Sequence, residues 1–315
     1  MRKGLIKGAA IFVLLMTPCA CVMPVSDQVY NNQVQLSHNS LFQENGLKEA
    51  RFPITETPVS EPDDPPGPIA AKYAIVVGVG NFQETNITPL RYAQKDATTF
   101  YDYLLDPLGG DFKTENIFLI LNEDATKPNI ISALNQIKTR AEKNDLVLLF
   151  FSTHSTPPGK FGGVYIISYD TIVKPRESVR ESSVSDEMLR DFINGIKAKR
   201  LVVIMDTCYS NGAYRQIGDK SLSVDDEGYG MSTVSGWGKV LFSSSTDGEK
   251  SWESDTLKNS FFTYYFIEGL KLYGNVKDAF YYATPKITEG VSKEKYAKQH
   301  PQVAADRKEW NIRLK

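Results

Sequence analysis

The sequence predicts an α/β domain built on a largely parallel sheet, and three observations lead to that prediction. Short, continuously apolar runs recur along the chain, and such runs are typical of strands buried on both faces of a parallel sheet. The segments between them carry apolar residues at helical spacing. The two patterns alternate from residue 72 onward, which requires helices that cover the sheet.

Each strand and helix can be assigned from its residues. The predicted strands, in chain order, are Tyr73–Val79, Asn116–Leu121, Leu146–Phe151, Arg200–Met205 and Lys239–Phe242. The predicted helices carry their apolar stripes within Leu90–Leu104, Ile130–Ala141, Met188–Ile196, Phe261–Leu272 and Val276–Ile287. Ser185 is expected to cap the third helix, because two acidic residues follow it and favour a helix N-terminus. A hairpin is expected near residues 163–167.

The composition excludes several kinds of protein. With 41% hydrophobic and 23% charged residues, the chain is neither disordered throughout nor fibrous. Its formal net charge of −2 argues against a nucleic-acid partner, because binding to phosphates needs dense Lys and Arg. Three Cys and three His are too few for a zinc ribbon or a disulfide framework, but they permit one thiol–imidazole pair.

The first 20 residues have the three-part layout of a secretory signal peptide. Basic residues precede the apolar run Ala9–Met16, which is too short to span a bilayer as a permanent helix. The segment Pro18–Cys21 then resembles a bacterial lipobox, with Cys21 as the lipidated residue. We therefore predict a lipoprotein-type signal peptide over residues 1–20. An ordinary cleaved signal and an uncleaved anchor are the alternatives.

Residues 22–71 have the composition of a flexible tether. Gln, Asn, Ser, Glu and Pro dominate, and the Pro-rich stretch 61–68 cannot hold a helix or a central strand. Such a spacer suits a link between a lipid anchor and the α/β domain, which is predicted over residues 72–315. We expect an exported protein on the membrane of the bacterial cell envelope, at its periplasmic face.

The polar residues that follow two of the predicted strands carry the strongest chemical signal. Ligands of open α/β sheets gather at the carboxyl ends of the strands, and there the sequence places His154 after one strand and Cys208 after the next. A free thiol is only weakly ionised at neutral pH, so a nearby imidazole is needed to activate it as a nucleophile. The alternative is that Cys208 is a small buried residue and His154 a polar residue with a structural role.

Six segments together resemble the caspase-like cysteine peptidases, and within them the bacterial, metacaspase-related branch. They are Tyr73–Val79, Leu90–Ala97, Phe151–His154, Asp206–Gly212, Val240–Asp247 and Ser260–Tyr265. The resemblance covers residues 72–303 and implies a single domain with the caspase–hemoglobinase fold. It also implies peptide hydrolysis by a dyad, in which His154 is the general base and Cys208 the nucleophile.

The resemblance further implies a substrate preference and an oxyanion site. In metacaspase-like members, an acidic pocket accepts the Arg or Lys that precedes the scissile bond, and the matching positions are Asp96, Ser152 and Asp206. Two carboxylates at neighbouring strand ends suit a guanidinium through charge-assisted hydrogen bonds. The alternative is that Asp206 only caps a turn and Asp96 faces solvent. The backbone N–H groups of Ser155 and Cys208 are expected to bind the oxyanion.

Two departures from the family pattern affect these expectations. Ser155 stands where the family has glycine, and its Cβ would crowd the oxyanion site if the position needs a positive φ. The calcium site of metacaspases is half present, because Asp170 and Asp186 match it whereas Ser185 and Arg215 replace carboxylates. Calcium needs six or more oxygen ligands, so we expect neither calcium nor another metal or cofactor.

The sequence thus predicts an exported, membrane-tethered cysteine endopeptidase that acts on peptides or proteins, after Arg or Lys. An inactive caspase-like domain that serves as a binding or scaffold module is the first alternative. Another thiol acyl-transfer enzyme, such as an amidase or a peptide ligase, is the second. The polar segment 214–236 is either a self-cleaved or gating loop or an ordinary surface loop.

Overall fold

In a computed structural model of the protein, the described residues are 67–156, 164–209, 238–246, 249–305 and 310–315, without the side chains of Cys208 and Tyr209. They belong to one unit, Glu61–Lys315. The predicted signal peptide with Cys21, the tether up to residue 66, and the loop at 214–236 lie outside these residues. What the sequence indicates about them stays a prediction.

The predicted α/β fold is confirmed, with a mostly parallel sheet at its centre. The strands are β1 (Lys72–Gly78), β2 (Ile117–Leu121), β3 (Leu146–Ser155), β4 (Tyr165–Ile166), β5 (Val184–Ser185), β6 (Arg200–Tyr209), β7 (Lys239–Ser243), β8 (Glu253–Ser254), β9 (Asn259–Ser260) and β10 (Gln302–Ala305). The main sheet runs β10-β7-β6-β3-β1-β2. Along this path the strands are parallel except β10, an antiparallel edge strand that the apolar pattern did not reveal. The two-residue strands β4 and β5 join the same sheet with antiparallel pairing.

The sheet is covered on both faces by helices. These are α1 (Ala93–Leu105), α2 (Lys127–Arg140), α3 (Ser178–Ser182), α4 (Asp186–Gly195), α5 (Phe261–Tyr273) and α6 (Val276–Lys295). Helices α1, α5 and α6 pack on one face, where Phe100 of α1 stacks on Phe150 of β3 with 4.6 Å between ring centroids. Helices α2 and α4 pack on the other face. Because strand side chains alternate between faces, each of the parallel strands β1, β2, β3, β6 and β7 contributes to both cores.

Strands β3 and β6 are longer than predicted, and the difference matters for the site. The apolar runs end at Phe151 and Met205, whereas the paired strands continue to Ser155 and Tyr209. All ten residues of β3 are buried. Polar residues can continue a buried strand when their side chains find hydrogen-bond partners. The candidate residues that follow the apolar runs, among them His154 and Cys208, therefore lie at the ends of paired strands instead of in the loops after them.

Smaller features agree with the sequence or differ from it for local reasons. Ser185 caps α4 as predicted, since its hydroxyl accepts a hydrogen bond from the Met188 N–H at 3.2 Å. Met188 itself is 36% exposed and not part of the apolar face expected of it. The hairpin expected near residues 163–167 corresponds to β4, which pairs with both β3 and β5. Within the described part, none of the helices is both long and apolar enough to cross a membrane.

Candidate active site

Two neighbouring register pairs of β3 and β6 form the centre of the candidate site. Ser152 pairs with Asp206, and His154 pairs with Cys208, two residues further along. Parallel strands lie about 4.8 Å apart, and two residues along a strand span about 6.6 Å. Positions 152, 154, 206 and 208 also fall on the same face of the sheet, because side chains repeat with a period of two. The four sequence-predicted residues thus form a compact array.

His154 is held by its Nε2 atom. This atom lies 2.7 Å from the backbone carbonyl oxygen of Thr88. A carbonyl can only accept, so Nε2 carries the hydrogen, and Nδ1 is the basic nitrogen of the neutral ring. The Phe82 ring stacks on the imidazole with 5.4 Å between centroids. Nothing in the local sequence pointed to Thr88 or Phe82 as partners of His154.

The other nitrogen of His154 is available for chemistry. Nδ1 is buried, and it has no hydrogen-bond partner among the described residues. Burial lowers the pKa of His154, while the Thr88 contact acts in the opposite direction. The imidazole is therefore neutral near pH 7 and able to accept a proton. Position 208 is paired with position 154 in the ladder. The side chain of Cys208 lies outside the described residues.

Asp96 belongs to α1, one turn from the helix start, and is buried against the sheet. Its Oδ2 accepts a hydrogen bond from the Ser152 hydroxyl at 3.1 Å. Its Oδ1 accepts from the Asn259 side-chain amide at 2.8 Å and from the Ser260 backbone N–H at 2.9 Å. The alternative that Asp96 faces solvent is therefore wrong.

Asp206 is equally buried and surrounded by hydroxyl groups. Its Oδ1 accepts a hydrogen bond from Ser251 at 2.7 Å. Its Oδ2 accepts from Thr263 at 2.6 Å and from the hydroxyl of Ser260. Asp206 lies inside β6 and so does not simply cap a turn. The three predicted pocket residues, Asp96, Ser152 and Asp206, thus come together in one cluster, although their role in recognition stays a prediction.

The two carboxyl groups resist ionisation. Burial raises the pKa of Asp96 well above its usual range, and the neighbouring charge of Asp206 adds to the effect. Burial also raises the pKa of Asp206, whereas the hydroxyl groups that donate to this carboxylate lower it. Neither group forms an ion pair with a basic side chain of the described residues. Such a pair suits a cationic side chain, which would favour the charged form of both carboxylates.

Ser155 fits its position without backbone strain. It ends β3, in register with Ile166 of β4 and Tyr209 of β6. It is not among the described non-glycine residues with positive φ, so the predicted conflict with its Cβ does not arise. Its hydroxyl donates to the Thr207 hydroxyl at 3.0 Å. The proposed oxyanion contacts of the Ser155 and Cys208 N–H groups stay a prediction.

The residues that match a calcium site have other partners. Asp170 accepts hydrogen bonds at 2.8 Å from the Lys127 N–H and from the Ser168 hydroxyl. Asp186 pairs with Arg190 at 3.1 Å within α4. The described part of the chain contains no group of three or more His, Cys, Asp or Glu residues suited to a metal ion. Arg215 lies outside those residues, and the expectation of a calcium-free protein stays a prediction.

Comparisons with known proteins agree with the resemblance. A family model described as a caspase domain matches residues 71–309. Metacaspase-1A of Aspergillus terreus is 27% identical over 150 residues, which are 45% of this chain and 36% of that protein. Metacaspase-1 of Yarrowia lipolytica is 25% identical over 152 residues, again 45% of this chain, and 32% of that protein. The matched stretch thus spans about a third of each relative.

A solved structure agrees at the level of the fold. The crystal structure of a Geobacter sulfurreducens protein superimposes with a TM-score of 0.53 and 16% identity, and the match covers 77% of this chain and 97% of that one. At this identity, the similarity concerns the fold alone.

Proposed function

Because the chain belongs to the caspase-domain family of cysteine peptidases and is metacaspase-related, we propose that it is an endopeptidase that cleaves after Arg or Lys. One observation carries the proposal: the ladder that sets His154 beside Cys208 also sets Ser152 beside Asp206, in the adjacent register pair. This register supports the proposal of a dyad and an acidic pocket at the same end of the sheet.

The proposed reaction uses the Nδ1 atom of His154 as its base. Nδ1 takes the proton of the Cys208 thiol, and the sulfur attacks the scissile carbonyl carbon. The resulting oxyanion is bound by the N–H groups of Ser155 and Cys208. The protonated imidazole then donates its proton to the leaving amine, and a thioester remains. Water, deprotonated by His154, hydrolyses the thioester and regenerates the thiol.

The proposed pocket binds the basic residue through charge. A guanidinium or ammonium group beside Asp96 and Asp206 stabilises both carboxylates in their ionised form, which burial alone disfavours. The hydroxyl of Ser152 adds a fixed polar neighbour. A neutral side chain of equal size leaves the buried pair without a counter-ion, and we expect it to bind weakly for that reason.

Activity of the full chain on fluorogenic peptides ending in Arg or Lys tests this function. The wild type should cleave both, and Cys208→Ala should abolish cleavage while circular dichroism shows an unchanged fold. Equal turnover by the variant would contradict the mechanism. An inactive binding module is recognised separately, because its Cys208 would show no enhanced, pH-dependent alkylation by iodoacetamide.

Membrane tethering is a separate part of the proposal and rests on the segment Pro18–Cys21. Cells grown with an alkyne-tagged fatty acid should label the wild type. Cys21→Ser should lose the label, whereas the matched variant Cys19→Ser should keep it. A wild type without label would argue for an ordinary signal peptide or an uncleaved anchor, and a label that persists in Cys21→Ser would contradict lipidation at Cys21.

A further inference from the structure

One short segment supplies nearly all hydrogen bonds to the two buried carboxylates. Residues 251–263 comprise the hairpin of β8 and β9 and the start of α5. Apart from the Ser152 hydroxyl, the side-chain donors to Asp96 and Asp206 among the described residues all come from this segment, namely Ser251, Asn259, Ser260 and Thr263. The segment is remote in sequence from both acids and from the dyad.

Ser260 occupies the middle of this arrangement. Its backbone N–H donates to Asp96 at 2.9 Å, and its hydroxyl donates to Asp206. The same hydroxyl oxygen accepts the Thr263 N–H at 2.9 Å and so caps α5. One serine thus bridges the two carboxylates and is itself fixed by a helix N-terminus, whose dipole favours nearby negative charge.

The same segment also holds the helix that carries Asp96. The carboxylate of Glu253 accepts the N–H groups of Arg91 and Tyr92 at 3.0 and 2.6 Å. These groups lie at the start of α1, where the N-cap residue Tyr92 supplies no side-chain cap of its own. Asp96 lies one helical turn after Tyr92, and its N–H donates to the Tyr92 carbonyl oxygen at 2.7 Å. Both acids are therefore positioned from the hairpin side.

We infer that Ser260 is a positioning residue for recognition of the basic substrate residue, an inference that rests on the proposed function. Its two hydrogen bonds keep the carboxyl groups of Asp96 and Asp206 at a fixed distance from each other. The bond from its hydroxyl also stabilises the ionised form of Asp206. A fixed pair of carboxylates matches the planar, forked guanidinium of Arg better than the point charge of Lys. Loss of the bridge is expected to weaken the preference for Arg over Lys as well as binding itself.

Steady-state kinetics of Ser260→Ala test this inference. A hydrogen bond to a charged group contributes enough that KM for an Arg peptide should rise about ten- to a hundredfold, with little change in kcat. Because the lost donor had lowered the pKa of Asp206, the acid limb of kcat/KM should move to higher pH. Ser260→Thr keeps the hydroxyl and should restore both properties.

A control separates this role from the loss of a helix cap. Asn275 caps α6, where its side-chain oxygen accepts the Asp278 N–H at 2.9 Å, and it contacts neither carboxylate. Asn275→Ala should lower stability without changing the pH profile or the Arg-to-Lys ratio. If Ser260→Ala changes only stability, as this control does, the inference is wrong while the proposed function stands.

Failure of the proposed function would show differently. In that case the wild type itself would cleave no basic peptide, and the inference is then judged by titration of the Asp206 carboxyl carbon in protein labelled with ¹³C-aspartate. Ser260→Ala should raise the pKa of that carboxyl, and Asn275→Ala should not. An unchanged pKa in Ser260→Ala would overturn the positioning role.

Discussion

The same face of β3 and β6 changes character from one register pair to the next. Phe150 and Ile204 form the first pair and pack among apolar side chains of the helices above. Ser152 and Asp206 form the second pair and bind only polar groups. Yet Phe150 is 1% exposed, Ser152 3% and Asp206 4%. Burial is thus nearly constant along the face. It stabilises the fold at the first pair, whereas at the second pair it costs free energy.

The comparison shows where stability and function separate. Burial of an aromatic ring stabilises the fold directly, whereas burial of a carboxyl group costs free energy unless donors surround it. The second pair persists because residues 251–263 supply those donors. The third pair, His154 and Cys208, keeps one nitrogen without a described partner. Packing, proposed recognition and proposed chemistry thus follow one another along five register pairs of one ladder, at the three pairs that share this face.

The largest expected effect comes from the third pair. His154→Ala should lower kcat on an Arg peptide by about a thousandfold, since a positioned general base typically contributes on that order. Its stability should fall by about 1–2 kcal/mol, because the substitution removes the hydrogen bond from Nε2 to the Thr88 carbonyl and the stacking on Phe82. Parallel activity and denaturation measurements check both statements. Undiminished kcat would remove His154 from the mechanism.

The first pair should show the opposite behaviour. Phe150→Ala leaves a cavity beneath Phe100, and such truncations cost about 3–5 kcal/mol of unfolding free energy. Urea denaturation measures the loss of unfolding free energy. The activity of the same preparation, divided by its folded fraction, gives kcat per folded molecule. The kcat per folded molecule should stay within a few-fold of the wild type. A loss of activity without a loss of stability would contradict the separation.

The acidic cluster at the second pair, formed by Asp206 and Asp96 of α1, should make stability depend on pH. Carboxyl groups with a raised pKa bind protons more tightly in the folded state, so stability falls as pH rises from their ordinary value of 3.8 through the raised one. Asp96→Asn removes one such group and its repulsion with Asp206, and the fall should become smaller. Chemical denaturation at pH 5 and pH 8 checks this. Identical pH dependence in both proteins would argue against a coupled acidic pair.

The smallest effect is expected at the rim of the acidic cluster. Arg91 and Asp255 form an ion pair at 2.6 Å, with 67% and 53% of their side chains exposed. Solvent and salt screen such pairs. Arg91→Ala should therefore leave the free energy of unfolding unchanged within the error of denaturation experiments. A clear destabilisation would mean that this contact also anchors the start of α1.

The sequence alone was sufficient for the order of the five parallel strands of the main sheet and of five of the six helices, and it singled out His154, Cys208, Asp96, Ser152 and Asp206. Those residues stand out because apolar runs and family motifs are local signals. The ends of β3 and β6 were misjudged, since the polar residues there are held by partners remote in sequence. Thr88 contacts His154 through its backbone carbonyl. Every residue type has this group, so the sequence could not indicate the contact.

The segment 251–263 was also missed as a support for the acids, although Ser260 was part of a recognised motif. Its role depends on tertiary contacts to residues 54 and 164 positions away. No periodicity or spacing within the segment encodes such contacts. Short strands like β8 and β9, of two residues each, likewise give no apolar pattern to detect.

The most direct test of the central claim compares two peptides that differ only in Arg or its neutral analogue citrulline before the scissile bond. The ratio of kcat/KM values measures what the Ser152–Asp206 pair contributes, independently of the dyad beside it. The wild type should prefer Arg by about a hundredfold, as expected for loss of a charge-assisted contact. Asp206→Asn should lower this preference by about tenfold while retaining cleavage of the citrulline peptide, because Asp96 remains as the second carboxylate. The same ratio in both proteins would contradict the assignment of recognition and chemistry to neighbouring pairs of one ladder.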